Sequence, residues 1–134
     1  MDLKQKTAVI TGAGRGIGKD IALRLAEEGC NIVLVARTGE ELNKVKKDIE
    51  DKGGSALALP VDLSIDGSIA EIIDKAVGSF GSIDILINNA AVLYAADILD
   101  VSEEEWDKTM DINLKAAFFL SQKAMKVMVE QKSG

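Results

Sequence analysis

The chain has 134 residues, 47% of them hydrophobic and only 4% aromatic, so it suits one domain built around an aliphatic core. A net charge of −6 speaks against general nucleic-acid binding, and an absence of histidine together with a single cysteine leaves no zinc ligand set, so no metal is expected. Cys30 alone makes no intrachain disulfide, which fits a reducing, cytoplasmic setting; Met1-Asp2-Leu3-Lys4 lacks the apolar run of a signal peptide, and no stretch approaches the roughly 18 apolar residues of a membrane span.

Short apolar runs alternate with helical patterns. Thr7 to Ile10 reads as a buried strand ended by Gly12. Ile17, Ile21, Leu25, Ala22 and Ala26 fall at helical spacing over Ile17–Glu28, and Gly29 is a natural stop. Asn31–Ala36 is a second strand, continuously apolar as in strands buried on both faces. Leu42, Val45 and Ile49 make the apolar stripe of a helix over Glu40–Lys52, whose charges form a solvated face. Ala56–Val61 is a third strand, Ile69 to Phe80 a helix, and Ile83–Ile87 a fourth strand. Ser102 followed by Glu103, Glu104 and Glu105 predicts an N-cap with acids in the first turn. From there to about Lys132 the pattern is helical, as one bent helix or two abutting ones. Such alternation predicts an α/β fold, a doubly wound parallel sheet with strand order 3-2-1-4 and flanking helices.

Between the first strand and first helix lies Thr11-Gly12-Ala13-Gly14-Arg15-Gly16-Ile17-Gly18. A glycine turn at a helix N-terminus admits a dinucleotide pyrophosphate close to free backbone N–H groups. A merely flexible turn would also be glycine-rich, but the strand–turn–helix context favours the nucleotide reading. The general dinucleotide fingerprint fails at Ile17, and a P-loop fails because Asp20 follows Lys19.

Thr11, Gly12, Gly16, Ile17 and Gly18 resemble the glycine motif of the short-chain dehydrogenase/reductase family. Asn88-Asn89-Ala90-Ala91 resembles its Asn-Asn-Ala-Gly motif, with Ala91 in place of the usual glycine. Val61-Asp62-Leu63-Ser64 and Asp111-Ile112-Asn113-Leu114 match further motifs in family order. The resemblance covers essentially all 134 residues. It implies a Rossmann fold and an oxidoreductase, with members such as the bacterial β-ketoacyl-acyl-carrier-protein reductases most similar. Asp62 then meets the adenine amino group, although it also reads as a helix N-terminal acid. Leu63 adds a backbone contact and apolar wall. Asn89, Ala90 and Ala91 lie beside the ribose and nicotinamide, and Asn88 and Asn89 also steady the bend after the fourth strand.

The end of the second strand, Ala36-Arg37-Thr38, lacks the acid that would bind ribose hydroxyls and repel a 2′-phosphate. Arg37 offers a guanidinium fork, Thr38 a hydroxyl, and Arg15 a second cation; the other reading of both arginines is plain surface charge. The expected cofactor is NADP(H), with NAD second.

In the family, a tyrosine with a lysine four residues later performs acid–base chemistry, a serine orients the carbonyl, and an asparagine supports a proton path. Asn113 matches that asparagine. Tyr94 is the only tyrosine and Ile98 stands four residues on, so Tyr94 is a loop residue near the pocket mouth. Residues 1–134 are therefore expected to be the dinucleotide-binding N-terminal part of a longer single-domain enzyme, inactive alone. The alternative is an inactive nucleotide-binding module. The expected substrate is a small-molecule or acyl-carrier-bound carbonyl, and the expected assembly a homodimer or homotetramer. Trp106 is expected to pack on the core, Cys30 to be an inert apolar residue, and Met125 and Met128 to be packing residues.

Overall fold

The structure, a computed structural model, describes residues 2–134. Its elements run β1 (Thr7–Thr11), α1 (Gly16–Glu27), β2 (Asn31–Ala36), α2 (Gly39–Glu50), β3 (Ser55–Pro60), α3 (Ser68–Phe80), β4 (Ile85–Ile87), α4 (Glu103–Met110), a π-helical turn (Asp111–Ala116) and α5 (Ala117–Gln131). The four strands form one parallel sheet in the order β3-β2-β1-β4. Val9 sits between Val33 of β2 and Leu86 of β4, which sets the register across the centre.

Alternation along the strands divides the core in two. Ala8, Ile10, Ile32 and Leu34 face one side and pack with Ala22 of α1 and Leu42, Val45 and Ile49 of α2. Val9, Val33 and Val35 face the other and pack with Ile72 and Ala76 of α3 and Leu120 and Ala124 of α5. Both faces are covered, so β1 and β2 need apolar residues at every position, and their interiors are buried throughout.

β4 is shorter than its apolar run. Its first predicted residue, Ile83, is buried, but the Gln131 side chain takes its backbone: the Ile83 N–H donates to Oε1 (3.4 Å) and Nε2 donates to the Ile83 carbonyl (2.6 Å). Asp84 anchors the entry to β4. It accepts from Lys6 Nζ (2.8 Å), the Thr7 N–H (2.9 Å) and the Ser82 hydroxyl (2.8 Å).

The C-terminal helical region is continuous from Glu103 to Gln131, with the π-helical turn inside it. Ser102 starts it with a full capping box, its hydroxyl accepting from the Glu105 N–H while the Glu105 carboxylate accepts from the Ser102 N–H. Trp106 departs from expectation: it is 59% exposed, because α4 buries no residue and stands off the core. Met125 is also exposed, turned away from Leu120 and Ala124, whereas Met128 packs on the core. Cys30 is buried as expected; its thiol donates to the Leu3 carbonyl, and burial pushes its pKa up, which keeps it protonated. No helix among the described residues is long and apolar enough to cross a membrane.

Candidate functional site

The C-terminal ends of all four strands open on one cleft of about 420 Å³. That is where open α/β sheets place ligands, at the point where the strand order reverses. Gly12, Arg15, Gly16 and Ile17 come from the turn after β1, and Arg37 and Thr38 from the end of β2. Asp62 and Leu63 follow β3; Asn89, Ala90 and Ala91 follow β4. The fold thus brings together eleven of the twelve residues expected to meet a nucleotide.

The twelfth, Gly18, stands behind the turn rather than in the cleft. A Cβ there would overlap the Gly12 carbonyl oxygen and lie 2.5 Å from Asn89 Nδ2. Gly12 has φ +65°, and a Cβ on it would meet Asn89 Nδ2 at 2.8 Å. Glycine at both positions lets the turn fold onto the end of β4. Asn89 fastens that contact, donating through Nδ2 to the Thr11 carbonyl (3.0 Å) and the Gly12 carbonyl (3.2 Å). Thr11 returns it. Its hydroxyl oxygen accepts from the Asn89 N–H (3.1 Å) and Ala90 N–H (3.0 Å) and donates to the Ile87 carbonyl. Above Gly16 the space is open: beyond its chain neighbours and its own helix backbone, no atom lies within 4 Å of where its Cβ would be. The cradle left at the N-terminus of α1 fits an anionic pyrophosphate, which needs close backbone approach and free N–H donors.

Asn88 turns the other way. Its Nδ2 donates to Ser121 Oγ (2.9 Å), tying the end of β4 to α5. Asn113 lies in the π-helical turn, and its carboxamide pairs with the backbone of Val92 in both directions at 2.8 Å each. It does not line the cleft, but its neighbour Ile112 and its partner Val92 do. Tyr94 lies in the irregular segment between β4 and α4 and does not line the cleft.

The charges of the cleft are unevenly partnered. Of the three arginines, Arg24 pairs with Glu27 and Glu28, whereas Arg15 and Arg37 have no carboxylate within 4 Å among the described residues. Asp62 Oδ1 accepts from the Ser64 N–H (2.9 Å) and the Ser64 hydroxyl (2.7 Å). Those bonds, the backbone one foremost, with a lesser attraction to Arg37, outweigh burial and hold the Asp62 carboxyl below its usual range. Asp62 is not a helix N-terminal acid, because α3 begins only at Ser68.

Of the lining residues that the sequence leaves unassigned, Glu41 is the charged one. Glu41, in the first turn of α2, reaches the cleft beside Gly14. The end of β2 carries no acid, yet an acid arrives from the next turn of chain. The available signal was that Glu40 and Glu41 stand just after Thr38 at a helix start, where acids favour the helix dipole; that signal does not say which of them faces inward.

A parallel sheet in the order 3-2-1-4, with a glycine turn feeding one cleft at its strand ends, defines a doubly wound Rossmann-type domain. The chain belongs to the short chain dehydrogenase family, whose model matches residues 6–134. It is 38% identical over 130 residues to a 3-oxoacyl-acyl-carrier-protein reductase of Staphylococcus epidermidis, covering 96% of this chain and 53% of that protein. The chain therefore spans about half the length of the curated relatives it matches. Among solved structures, a metagenomic short-chain oxidoreductase in complex with NADP superposes with a TM-score of 0.94 at 36% identity, over 100% of this chain and 61% of that one. A short-chain type dehydrogenase/reductase from Mycobacterium marinum gives 0.92 at 36% identity, over 97% and 51%.

Proposed function

We propose that residues 1–134 form the dinucleotide-binding part of an NADP-dependent oxidoreductase that interconverts carbonyls and alcohols, with a 3-oxoacyl-acyl-carrier-protein as the favoured substrate. The observation that carries the cofactor choice is the pair of guanidiniums, Arg15 and Arg37, that share one cleft with no carboxylate within 4 Å of either among the described residues. A 2′-phosphate supplies the paired acceptors such forks take. The substrate class follows the similarity to the staphylococcal reductase.

In this reading the N–H groups of the glycine turn and of the start of α1 hold the pyrophosphate, and the neutral wall of Ala90, Ala91 and Val92 flanks the nicotinamide side. Asp62 and Leu63 bound the adenine. The bound nicotinamide supplies or accepts the hydride. Asn113 fixes Val92, and with it the segment against which substrate and nicotinamide would meet. The whole protein is proposed to be a cytoplasmic homodimer or homotetramer.

Titration with NADPH and NADH tests the assignment. Replacing both Arg15 and Arg37 by alanine is expected to weaken NADPH about 30-fold, at roughly 1 kcal/mol per exposed ion pair, and NADH less than about twofold. Equal losses for both nucleotides would remove the 2′-phosphate from the reading.

The alternative reading is a nucleotide-binding module without turnover. Tyr94 is the only tyrosine and Ile98 stands four residues on, so these 134 residues hold no Tyr-x-x-x-Lys pair. The intact mass of the natural gene product separates the two. A mass near twice 14.3 kDa, with such a pair found by peptide mapping, supports the reductase; 14.3 kDa with NADPH binding supports the module.

A further inference from the structure

We propose that Glu41 is a specificity-determining residue of this cleft, a carboxylate that accepts the hydroxyls of a ribose diol and opposes a 2′-phosphate, so that the site takes both nucleotide types and Glu41 sets their ratio. The inference rests on the dinucleotide reading above.

Two capped helices show why Glu41 is available. Glu41 and Glu105 both occupy the third helical position after an N-cap, the place from which a glutamate normally reaches back to close a capping box. Glu105 does so, accepting from the Ser102 N–H (3.0 Å) and hydroxyl (2.9 Å). At α2 the N-cap Thr38 makes no side-chain cap bond, and among the described residues no hydrogen bond or ion pair engages the Glu41 carboxylate. Its lone pairs are left for a ligand.

Gly14 explains why it faces inward. A Cβ at Gly14 would stand 3.0 Å from Glu41 Oε2 and 3.1 Å from Glu41 Cβ. The bare backbone of the glycine turn thus gives the half-buried glutamate room to lie against the cleft wall, on the same cleft as Arg15 and Arg37. The other carboxylate there, Asp62, already spends Oδ1 on Ser64. Glu41 is the acceptor with both oxygens unengaged.

The charge balance then has two opposed parts. Two guanidiniums attract a phosphate dianion, and one carboxylate repels it while offering what a vicinal diol needs, an acceptor for two O–H donors. An unphosphorylated ribose satisfies Glu41 and leaves the arginines to water. A 2′-phosphorylated ribose satisfies the arginines against the Glu41 charge.

Calorimetric titration of the 134-residue chain with adenosine 2′,5′-bisphosphate and with AMP reads the two ends separately, in the native chain and in Glu41→Gln. Glutamine keeps the volume and removes the charge. The bisphosphate is expected to bind about fivefold tighter and AMP about threefold weaker, a ratio shift of more than about tenfold. Circular dichroism of the variant should match the native chain, and Glu41→Asp should fall between the two. If both nucleotides bind and their ratio moves less than about twofold, Glu41 is not the discriminating group and the cofactor reading stands. If the native chain binds neither nucleotide, the dinucleotide reading fails and this inference with it.

Discussion

Two residues carry more of this structure than their size suggests. Gly18 is pressed against the carbonyl of Gly12 and the amide of Asn89, so a methyl group there meets backbone that cannot swing aside. Gly18→Ala is expected to lower unfolding free energy by about 1–3 kcal/mol, as overpacking does, and to weaken nucleotide binding along with it. An unchanged urea midpoint would mean that the turn can open without cost. Asp84 works at the other end of the sheet, buried to 8% side-chain exposure. Burial by itself raises its pKa, but the Lys6 ammonium, the Thr7 N–H and the Ser82 hydroxyl together outweigh it and hold the carboxyl below its usual range. A depressed folded pKa stabilises the fold fully above the unfolded value, near pH 4, and that contribution is lost as pH falls through the lower folded value. Asp84→Asn should therefore cost about 2 kcal/mol at pH 7, the worth of hydrogen bonds to a charged group. The difference from the native chain should close as the pH drops below about 4; a constant gap down to pH 2 would argue against a charge effect.

At the scale of elements, α5 and the π-helical turn before it hold the β4 side of the sheet by carboxamides rather than by a strand. Gln131 takes both backbone groups of Ile83, and Asn113 both of Val92. Asn88 adds a third tie, from the end of β4 to Ser121. Gln131 and Asn113 thereby satisfy the backbone of Ile83 and Val92, which flank β4, a strand that among the described residues pairs with β1 alone. The π-helical turn places Asn113 for this, in keeping with the tendency of such turns to occur at functional sites. Asn113→Ala should speed amide hydrogen exchange at Val92 while leaving Val9, inside the β1–β2 ladder, as slow as before. Equal protection of Val92 in both proteins would show that the carboxamide pair is not what orders that segment.

Across the described residues, the outer side of α5 leaves apolar surface uncovered. α5 buries Leu120 and Ala124 but exposes Phe118 (60%) and Met125 (58%), and β4 is an edge strand beside it. Exposed apolar patches and open edges favour association. Light scattering of the 134-residue chain is expected to give a mass above 14.3 kDa that falls on dilution, and Phe118→Glu should shift it towards the monomer. A native chain that stays at 14.3 kDa at every concentration would show that this face does not drive assembly.

Much of the fold is legible in the sequence. Strands buried on both faces need unbroken apolar runs, and helices covering them need stripes, so residues 7–36 carried their order and layer openly. The glycine turn was equally plain, because close backbone approach tolerates few residue types. What stayed hidden depended on partners distant in the chain. Trp106 reads as a core residue, yet α4 buries none of its residues. Ile83 looked like strand, yet Gln131, 48 residues away, claims its backbone. Arg15 and Arg37 were readable as cations, but whether a carboxylate neutralises them is a matter of distance. Glu41 is the clearest case: local sequence marks it as a helix-start acid, and only the packing of α2 against Gly14 turns its carboxylate into the cleft. Periodicity reports which face of an element is buried, whereas a site is assembled from element ends, whose meeting the folded chain alone specifies.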